Sequence, residues 1–283
     1  MGIAYALVSM LFAGVNDFVF KQYTNGARQS LGLFLGGVGL VWTVFFGILL
    51  LTTAGSVTWT HWPISVGAGL VSILSNILLV RSFRTFPAGT GATIYRLNLV
   101  VVAVLSFFWL QEPATLWKMI GITLGAAAVL SLGRIPAGNS SATRVTSFGI
   151  AILITACVLR ALMGILYKLA STHGIPMYEL LAINGAVWGV GGLLYAVTSR
   201  ESLHLNTRMT GFVGMSGLLV CGITYFMLAA TRIAEASIAI PITQMSFVVT
   251  CALGATLHNE PFTSPKLFAI AAAVGCVVCL TQG

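Results

Sequence analysis

Three charged side chains stand inside long apolar stretches of this sequence, where a charge is most able to do chemistry. They are Asp17, Arg96 and Arg160. A charge in an apolar environment is costly, so it usually faces a cavity or a partner of opposite charge. Arg96 lies beside Tyr95 and Asn98, and its planar guanidinium suits a carboxylate or phosphate group. We expect these three neighbours to bind an anionic group of a small molecule. The alternative is a structural arginine that pairs with backbone carbonyls or a helix C-terminus.

Asp17 belongs to a second candidate group. Asp17 and Lys21 are four residues apart on one face of a helix, so they can form an ion pair. Because Asp17 is the one acidic residue well inside an apolar stretch, it is the candidate carrier of a coupled proton. The matching face in the second half of the chain carries Arg160 and Lys168. Lys21 and Lys168 stand near the ends of their stretches, where a long side chain can also reach the membrane surface. We expect Arg160, which lies deeper, to face a cavity.

Further polar and aromatic residues complete the candidate binding site. The two tryptophans among them could stack on a substrate ring, although aromatic residues inside such stretches more often pack against other helices. Glu112 and Glu260 stand in turns, where we expect them to act as gates or as helix caps. The remaining candidates for substrate binding are Gln244, Asn76, Tyr225, Asn184, Trp42 and Trp188.

The sequence lacks the motifs that several other functions would require. The basic residues fall one or two at a time between apolar stretches, which argues against nucleic-acid binding. The five cysteines lie inside apolar stretches and the four histidines lack metal-ligand spacing. We therefore expect neither a metal nor a cofactor. The sequence has no Walker, GxSxG or HExxH motif, which argues against direct use of ATP and against a membrane-embedded hydrolase.

The composition defines the elements that must position these residues. Of 283 residues, 7% are charged and 58% are hydrophobic, and the mean hydropathy is +0.98. This balance excludes a soluble enzyme, a disordered chain and a secreted disulfide scaffold. It indicates a membrane protein with several crossings, each of roughly 20 apolar residues. Turn residues divide the chain into ten predicted crossings, at 2–22, 31–54, 63–82, 88–110, 115–133, 148–171, 177–199, 209–231, 236–257 and 264–281.

The two halves of the chain resemble each other at an offset of 146 to 148 residues. For example, Gly2-Ile3-Ala4 corresponds to Gly149-Ile150-Ala151. With five crossings in each half, the second half enters the membrane from the opposite side, as in many secondary transporters. We therefore predict an all-α membrane protein of ten transmembrane helices in two inverted five-helix repeats. The predicted repeats are residues 1–134 and 148–283, joined by a linker at 135–147.

Both halves also carry the features of a known family. Glu-Pro follows the fourth crossing of each half, as Glu112-Pro113 and Glu260-Pro261, and the fifth crossings contain glycines. With its ten crossings and 5+5 duplication, the chain resembles the drug/metabolite transporter superfamily and, within it, the EamA-like branch. The resemblance implies export or exchange of small metabolites. Family members often have a proline midway along the fourth crossing of a repeat. Pro241 fits this pattern, whereas the first half has Thr93, so we expect a helix break in the ninth crossing rather than the fourth.

These observations together predict a secondary transporter of the cytoplasmic membrane. We expect it to move a small anionic or zwitterionic metabolite by alternating access, as a monomer or homodimer, with protons as the candidate coupling ion. Two alternatives remain open: a lipid-headgroup flippase of the same fold and, less favoured, a membrane-embedded enzyme. Basic residues are concentrated in the odd-numbered connections, which predicts that both termini lie outside. The family resemblance implies termini inside.

Overall fold

A computed structural model describes residues 1–24, 30–53, 62–82, 88–132, 147–202, 204, 206–258 and 263–283. These residues form twelve α-helices, and none of them lies in a β-strand. The helices are α1 (Gly2–Thr24), α2 (Leu31–Thr53), α3 (Trp62–Ser82), α4 (Ala88–Arg96), α5 (Asn98–Trp109), α6 (Leu116–Leu132), α7 (Ser147–Thr172), α8 (Met177–Thr198), α9 (Thr207–Ile233), α10 (Ala236–Gln244), α11 (Phe247–His258) and α12 (Ser264–Gln282).

Two crossings are interrupted, so the twelve helices make ten crossings. Helices α4 and α5 together form the fourth crossing, and α10 and α11 form the ninth. Within the described ranges, nine crossings are long and apolar enough to span a membrane. The tenth, α6, is slightly shorter at 17 residues. The chain is therefore an integral membrane protein with several crossings.

The helices pack in the pattern that an inverted duplication produces. Helix α2 packs along its own counterpart α8, and α6 packs along its counterpart α12. The first crossing of each half packs on the third crossing of the other half, as α1 on α9 and α3 on α7. A pseudo-two-fold axis in the membrane plane relates such pairs. The predicted fold class, an all-α membrane protein of two inverted five-helix repeats, is confirmed.

Because successive crossings run in opposite directions, each helix end can be assigned to one of two faces. We call the first the terminus-side face: there α1 begins, α12 ends, α5 is connected to α6, and α10 begins. We call the second the linker-side face: there α4, α7 and α12 begin and α6 and α11 end. The two interruptions lie between these faces, near the middle of the membrane.

Glycines allow α2 and α8 to pack backbone against backbone. A Cβ atom added to Gly39 would lie 2.2 Å from the backbone nitrogen of Gly189, and one added to Gly185 would lie 2.6 Å from the backbone nitrogen of Thr43. Close approach through small residues is the usual way for membrane helices to gain packing energy, because lipid offers no hydrophobic drive. This contact joins the two repeats at equivalent positions.

The interruptions of the fourth and ninth crossings are built from equivalent hydrogen bonds. The backbone nitrogen of Leu97 donates to the carbonyl of Ile94 at 3.2 Å, and that of Met245 donates to Ile242 at 3.1 Å. Both bonds span three residues instead of the four of an α-helix. A stretch of this tighter geometry inside a helix often marks a hinge. Each repeat therefore contributes one hinge at the same place in its sequence.

The helix break predicted in the ninth crossing is present, between α10 and α11, but the structure differs from the prediction in two respects. The fourth crossing is interrupted as well as the ninth, although it has Thr93 at the position of Pro241. Pro241 itself lies inside α10, which continues to Gln244. A proline removes one backbone donor and weakens a helix near its position, but it does not determine where the helix ends. The end of α10 coincides instead with Arg96, whose guanidinium donates a hydrogen bond to the carbonyl of Gln244, the last residue of α10.

Candidate substrate site

Arg96 is the last residue of α4 and reaches from the first interruption to the second. Its Nη1 donates hydrogen bonds of 2.8 Å to the carbonyl of Gln244 and to Oγ of Ser246. Gln244 ends α10, and the last carbonyls of a helix have no partner within the helix. A cation placed there also interacts favourably with the helix dipole. This contact is the structural role that the sequence left open for Arg96 as the alternative to substrate binding.

Asp17 of α1 binds the other end of the same guanidinium. Arg96 Nη2 donates to Asp17 Oδ2 at 2.5 Å, and Ser246 Oγ donates to that oxygen at 3.1 Å. The side chain of Arg96 is 18% exposed and that of Asp17 is 38% exposed. The spacing in the sequence allows Lys21 as a partner of Asp17, whereas Arg96 comes from a different helix. Helical spacing finds partners only within one helix, so it could not predict an arginine that is 79 residues away.

The neighbours predicted from the sequence meet at the same place. Asn98 Nδ2 donates to the carbonyl of Tyr95 at 2.8 Å and to Oε1 of Gln244 at 3.3 Å. Oγ of Ser75 lies 3.0 Å from the hydroxyl of Tyr95. Gln244 is the repeat counterpart of Arg96 and the two residues are in contact, so the pseudo-two-fold axis passes between them. Hydrogen bonds through Asn98 thus join Tyr95 to Gln244, and the carbonyl of Gln244 in turn binds Arg96.

A cavity of about 210 Å³ touches Arg96. Its other walls come from α4, α6 and α11, and include Ala92, Leu132 and Thr250. These positions lie between Arg96 and the linker-side face. The ring of Phe247 also lines the cavity, with its centroid 5.9 Å from Cζ of Arg96, within the range of a cation–π contact. The cavity therefore offers a small solute a place next to a guanidinium.

The two tryptophans contact each other and form part of the packing between α2 and α8. The ring centroids of Trp42 and Trp188 are 5.8 Å apart in an edge-to-face arrangement, and both side chains are buried. Trp188 Nε1 donates to Oγ of Ser72 at 3.0 Å. This is the packing role that the sequence gave as the more frequent one for aromatic residues in a crossing.

Four other predicted binding residues make contacts typical of helix packing. The side-chain amides of Asn76 and Asn184 donate to carbonyls four residues earlier on their own helices. Arg160 Nη1 lies 3.4 Å from the sulfur of Met163 on the same helix. Tyr225 stacks on a tyrosine of α8. These contacts do not bring the four side chains to the Arg96–Asp17 pair.

The residues predicted to lie at helix ends or in turns do not share one environment. Lys168 Nζ donates to two carbonyls at the end of α9, at 2.8 and 2.7 Å. Glu112 accepts hydrogen bonds from backbone nitrogens at the start of α10, which is the geometry of a helix cap. Lys21 is exposed near the end of α1. Glu260 lies outside the described residues.

Two parts of the arrangement were missed by the sequence analysis. Ser246 contacts both Arg96 and Asp17. Its repeat counterpart is Asn98, so the duplication was the signal that could have identified it. The second is an ion pair between the buried Lys118 and the partly exposed carboxylate of Glu235, which are 117 residues apart. No local pattern in the sequence joins these two residues.

Comparison with known proteins agrees with this fold. A sequence profile of the EamA-like transporter family matches residues 1–134 and 147–282. The uncharacterized transporter YetK of Bacillus subtilis (strain 168) is 23% identical over 180 residues, which are 62% of this chain and 54% of YetK. The match thus spans about half the length of that relative. A solved crystal structure of a protein with 14% sequence identity has the same fold, with a TM-score of 0.81 and coverage of 99% of this chain and 96% of that one.

The family match covers both repeats and leaves out only the connection between them and the last residue. The two matched segments coincide with the two five-helix repeats of the structure. The protein belongs to the EamA-like transporter family.

Proposed function

We propose that this protein is a secondary transporter that moves a small organic metabolite by alternating access, with Arg96 and Asp17 at its switching site. The observation that carries the proposal is a single guanidinium that joins the interrupted helices of both repeats to α1. In inverted-repeat transporters, substrates bind near the middle of the membrane at the repeat interface, at broken helices. Arg96 occupies such a position.

An anionic group on the substrate is the natural competitor of Asp17. An arginine inside a membrane protein requires a negative or strongly polar partner. A carboxylate or phosphate that enters the cavity can take the guanidinium from Asp17, and the planar fork of arginine binds either group with two parallel hydrogen bonds. This exchange would loosen α1 from the two hinges, which provides a link between substrate binding and a change of conformation.

Proton binding to Asp17 would favour the same exchange. A protonated Asp17 has no negative charge and holds Arg96 less strongly. The arginine then gains more from a substrate anion, so protonation and anion binding promote each other. A zwitterionic substrate could in addition place its cationic group on an ionised Asp17. The proposal therefore covers anionic and zwitterionic solutes with protons as the coupling ion.

The size of the cavity supports a small solute. Pockets for drug-sized ligands usually enclose about 300–1,000 Å³, whereas the cavity beside Arg96 encloses about 210 Å³. Its walls contain few polar groups other than Arg96 and Thr250. A compact metabolite with one strongly charged group fits this environment better than a large polar one.

Reconstitution into liposomes tests the proposal. Uptake of a mixed panel of organic acids, phosphorylated metabolites, amino acids and labelled phospholipids would be compared between the wild type and Arg96→Ala. We expect the wild type to move at least one anionic or zwitterionic metabolite and Arg96→Ala to lose that transport. Arg208→Ala serves as the matched control, because Arg208 is exposed at the start of α9 and packs on Phe212.

Three outcomes would contradict the proposal. Full transport by a folded Arg96→Ala variant would remove Arg96 from the site. Equal losses in Arg96→Ala and Arg208→Ala would indicate a general effect of lost charge. Transport of phospholipids alone would favour the flippase instead.

A pH gradient tests the coupling separately. We expect wild-type transport to follow an imposed pH gradient and Asp17→Asn to make transport independent of it, because asparagine cannot carry the proton. An unchanged pH dependence in Asp17→Asn would contradict the role of Asp17 as proton carrier and leave the role of Arg96 intact.

A further inference from the structure

The start of α10 on the terminus-side face is held by a side chain from the other repeat. The carboxylate of Glu112 accepts hydrogen bonds from the backbone nitrogens of Ala236 at 2.7 Å and Ser237 at 2.9 Å. These are nitrogens of the first turn of α10, which have no partner within the helix. A carboxylate there also interacts favourably with the positive end of the helix dipole. Glu112 thus ties the α5–α6 connection of the first repeat to a helix of the second.

An ion pair that involves a buried lysine strengthens this tie. Lys118 of α6 is fully buried, and its Nζ donates to the carboxylate of Glu235 and, at 2.8 Å, to the carbonyl of Pro113. Glu235 immediately precedes α10. A buried lysine that loses its carboxylate partner would be an uncompensated charge. Two separate charged contacts therefore hold the start of α10 against the first repeat.

An apolar layer of buried residues lies on the same side of Arg96 as these contacts. It joins α5, α7 and α10, and its members are at most 2% exposed. Its residues are Val102, Ala161, Ile165, Ala236 and Ile240.

The two sides of Arg96 therefore differ. Toward the terminus-side face the buried layer lies next to Arg96, the charged contacts hold the start of α10, and an open cavity of about 370 Å³ lies at these contacts, lined by Glu235, Ile238 and Lys168 among others. Toward the linker-side face lies the cavity that touches Arg96.

We infer that Glu112, Lys118 and Glu235 form a latch that closes the terminus-side face and must open once in each transport cycle. The inference rests on the alternating-access function proposed above and names its gate. The sequence has Pro87 at the repeat position equivalent to Glu235, so the duplication does not repeat this carboxylate. The latch thus favours the conformation in which the terminus-side face is closed.

Thiol labelling can detect the opening of the latch without any substrate. Ala161→Cys places a reporter in the apolar layer, on α7, which carries none of the latch residues. The rate of its reaction with a water-soluble maleimide would be measured in lipid nanodiscs. Mass spectrometry of the tryptic peptide 161–168 separates the reporter from the native cysteines, because cleavage after Arg160 removes Cys157 of the same helix. The latch is then broken by Glu235→Gln or Lys118→Gln in this background.

Glu201→Gln is the matched control for the latch variants. Glu201 follows α8, and its Oε2 accepts hydrogen bonds of 2.8 Å from the hydroxyl of Ser30 and the backbone nitrogen of Gly32. It is therefore also a carboxylate that joins the two repeats at the start of a helix. It lies on the linker-side face, outside the latch.

We expect either latch variant to increase the labelling rate at position 161 by about tenfold or more, since the rate follows the population of the open state. Glu201→Gln should leave the rate unchanged. Unchanged labelling in Glu235→Gln and Lys118→Gln, in protein that elutes as a single folded species, would overturn the latch. An equal increase in all three variants would also overturn it, because it would indicate general loosening. If the liposome panel shows no transport while labelling behaves as expected, the proposed function fails and the latch remains a conformational gate.

Discussion

The two repeats meet along the pseudo-two-fold axis in two regions of opposite character. In the first, α2 and α8 pack through glycines, and the equivalent residues Trp42 and Trp188 touch within a buried apolar interface. In the second, the interrupted crossings meet through the equivalent residues Arg96 and Gln244, with Asp17 beside them. The same symmetry thus produces one interface between the continuous helices α2 and α8 and a second interface between the two hinges.

The difference shows how an inverted duplication can separate support from movement. Backbone contact between α2 and α8 permits little sliding, because well-packed interiors respond to small changes in volume. The hinges at Leu97 and Met245 have local bonds that span three residues, and their contacts are polar and exchangeable. We expect α2 and α8 to form the support about which the interrupted crossings move.

The largest expected effect comes from closing the gap between α2 and α8. Gly39→Ala would place a Cβ atom 2.2 Å from the backbone nitrogen of Gly189, and a backbone atom cannot move aside as a flexible side chain can. We expect a loss of about 3 kcal/mol or more of folding free energy, the upper part of the usual range for overpacking. Thermal unfolding of the purified protein in detergent measures this loss.

The control lies on the same helix. A Cβ atom added to Gly47 meets nothing within 4 Å among the described residues, so Gly47→Ala should leave the unfolding temperature unchanged or raise it slightly. Equal tolerance of Gly39→Ala and Gly47→Ala would contradict the view of α2 and α8 as a rigid support.

Substitution of the two tryptophans should cause a smaller loss of folding free energy, and the loss should differ between them. Trp188→Phe removes the hydrogen bond to Ser72 and leaves that buried hydroxyl without it, which costs about 1–3 kcal/mol. Nε1 of Trp42 has no hydrogen-bond partner among the described residues, so Trp42→Phe should cost less. Comparison of the two unfolding temperatures checks this order.

The same pair tests the substrate-stacking role that the sequence left open. If both tryptophans serve only packing, each phenylalanine variant that folds should retain transport, because the aromatic contact between α2 and α8 is preserved. Loss of transport in stable Trp42→Phe and Trp188→Phe variants would instead place these rings in the substrate path.

The structural features that could be predicted are those that produce a periodic or repeated pattern in the sequence. The ten crossings follow from apolar length, and the inverted plan follows from the five crossings of each repeat. The hinge at Leu97 leaves no such trace, because no proline or glycine marks it. It became visible only through its hydrogen bonds, which match those at Met245.

Four members of the candidate site were predictable from the sequence, whereas their contacts and the participation of Ser246 were not. Polar residues inside apolar stretches can be identified from the sequence alone. Four members of the site are of this kind: Arg96, Asp17, Asn98 and Gln244. Their pairing depends on how α1 crosses the two hinges, and that crossing is a property of the packed helices. The ion pair between Lys118 and Glu235 could not be predicted from the sequence for the same reason.

Substitution of Ser246 should have the smallest effect on stability among the changes that test the contrast between the two regions. Its hydroxyl accepts from Arg96 at 2.8 Å and donates to Asp17 at 3.1 Å, so it links the two charges at the hinge of the second repeat. Ser246→Ala removes both bonds and should lower the free energy of unfolding by only about 1 kcal/mol, the usual net value of a hydrogen bond. Its effect on function should be more specific, because both charges at the hinge lose the hydroxyl that links them. The apparent affinity for the transported solute should then change, and Ser246→Thr, which keeps the hydroxyl, should restore the wild-type affinity. If Ser246→Ala changes only the unfolding temperature and leaves the affinity in place, Ser246 supports the helix and has no part in the switching proposed for Asp17 and Arg96.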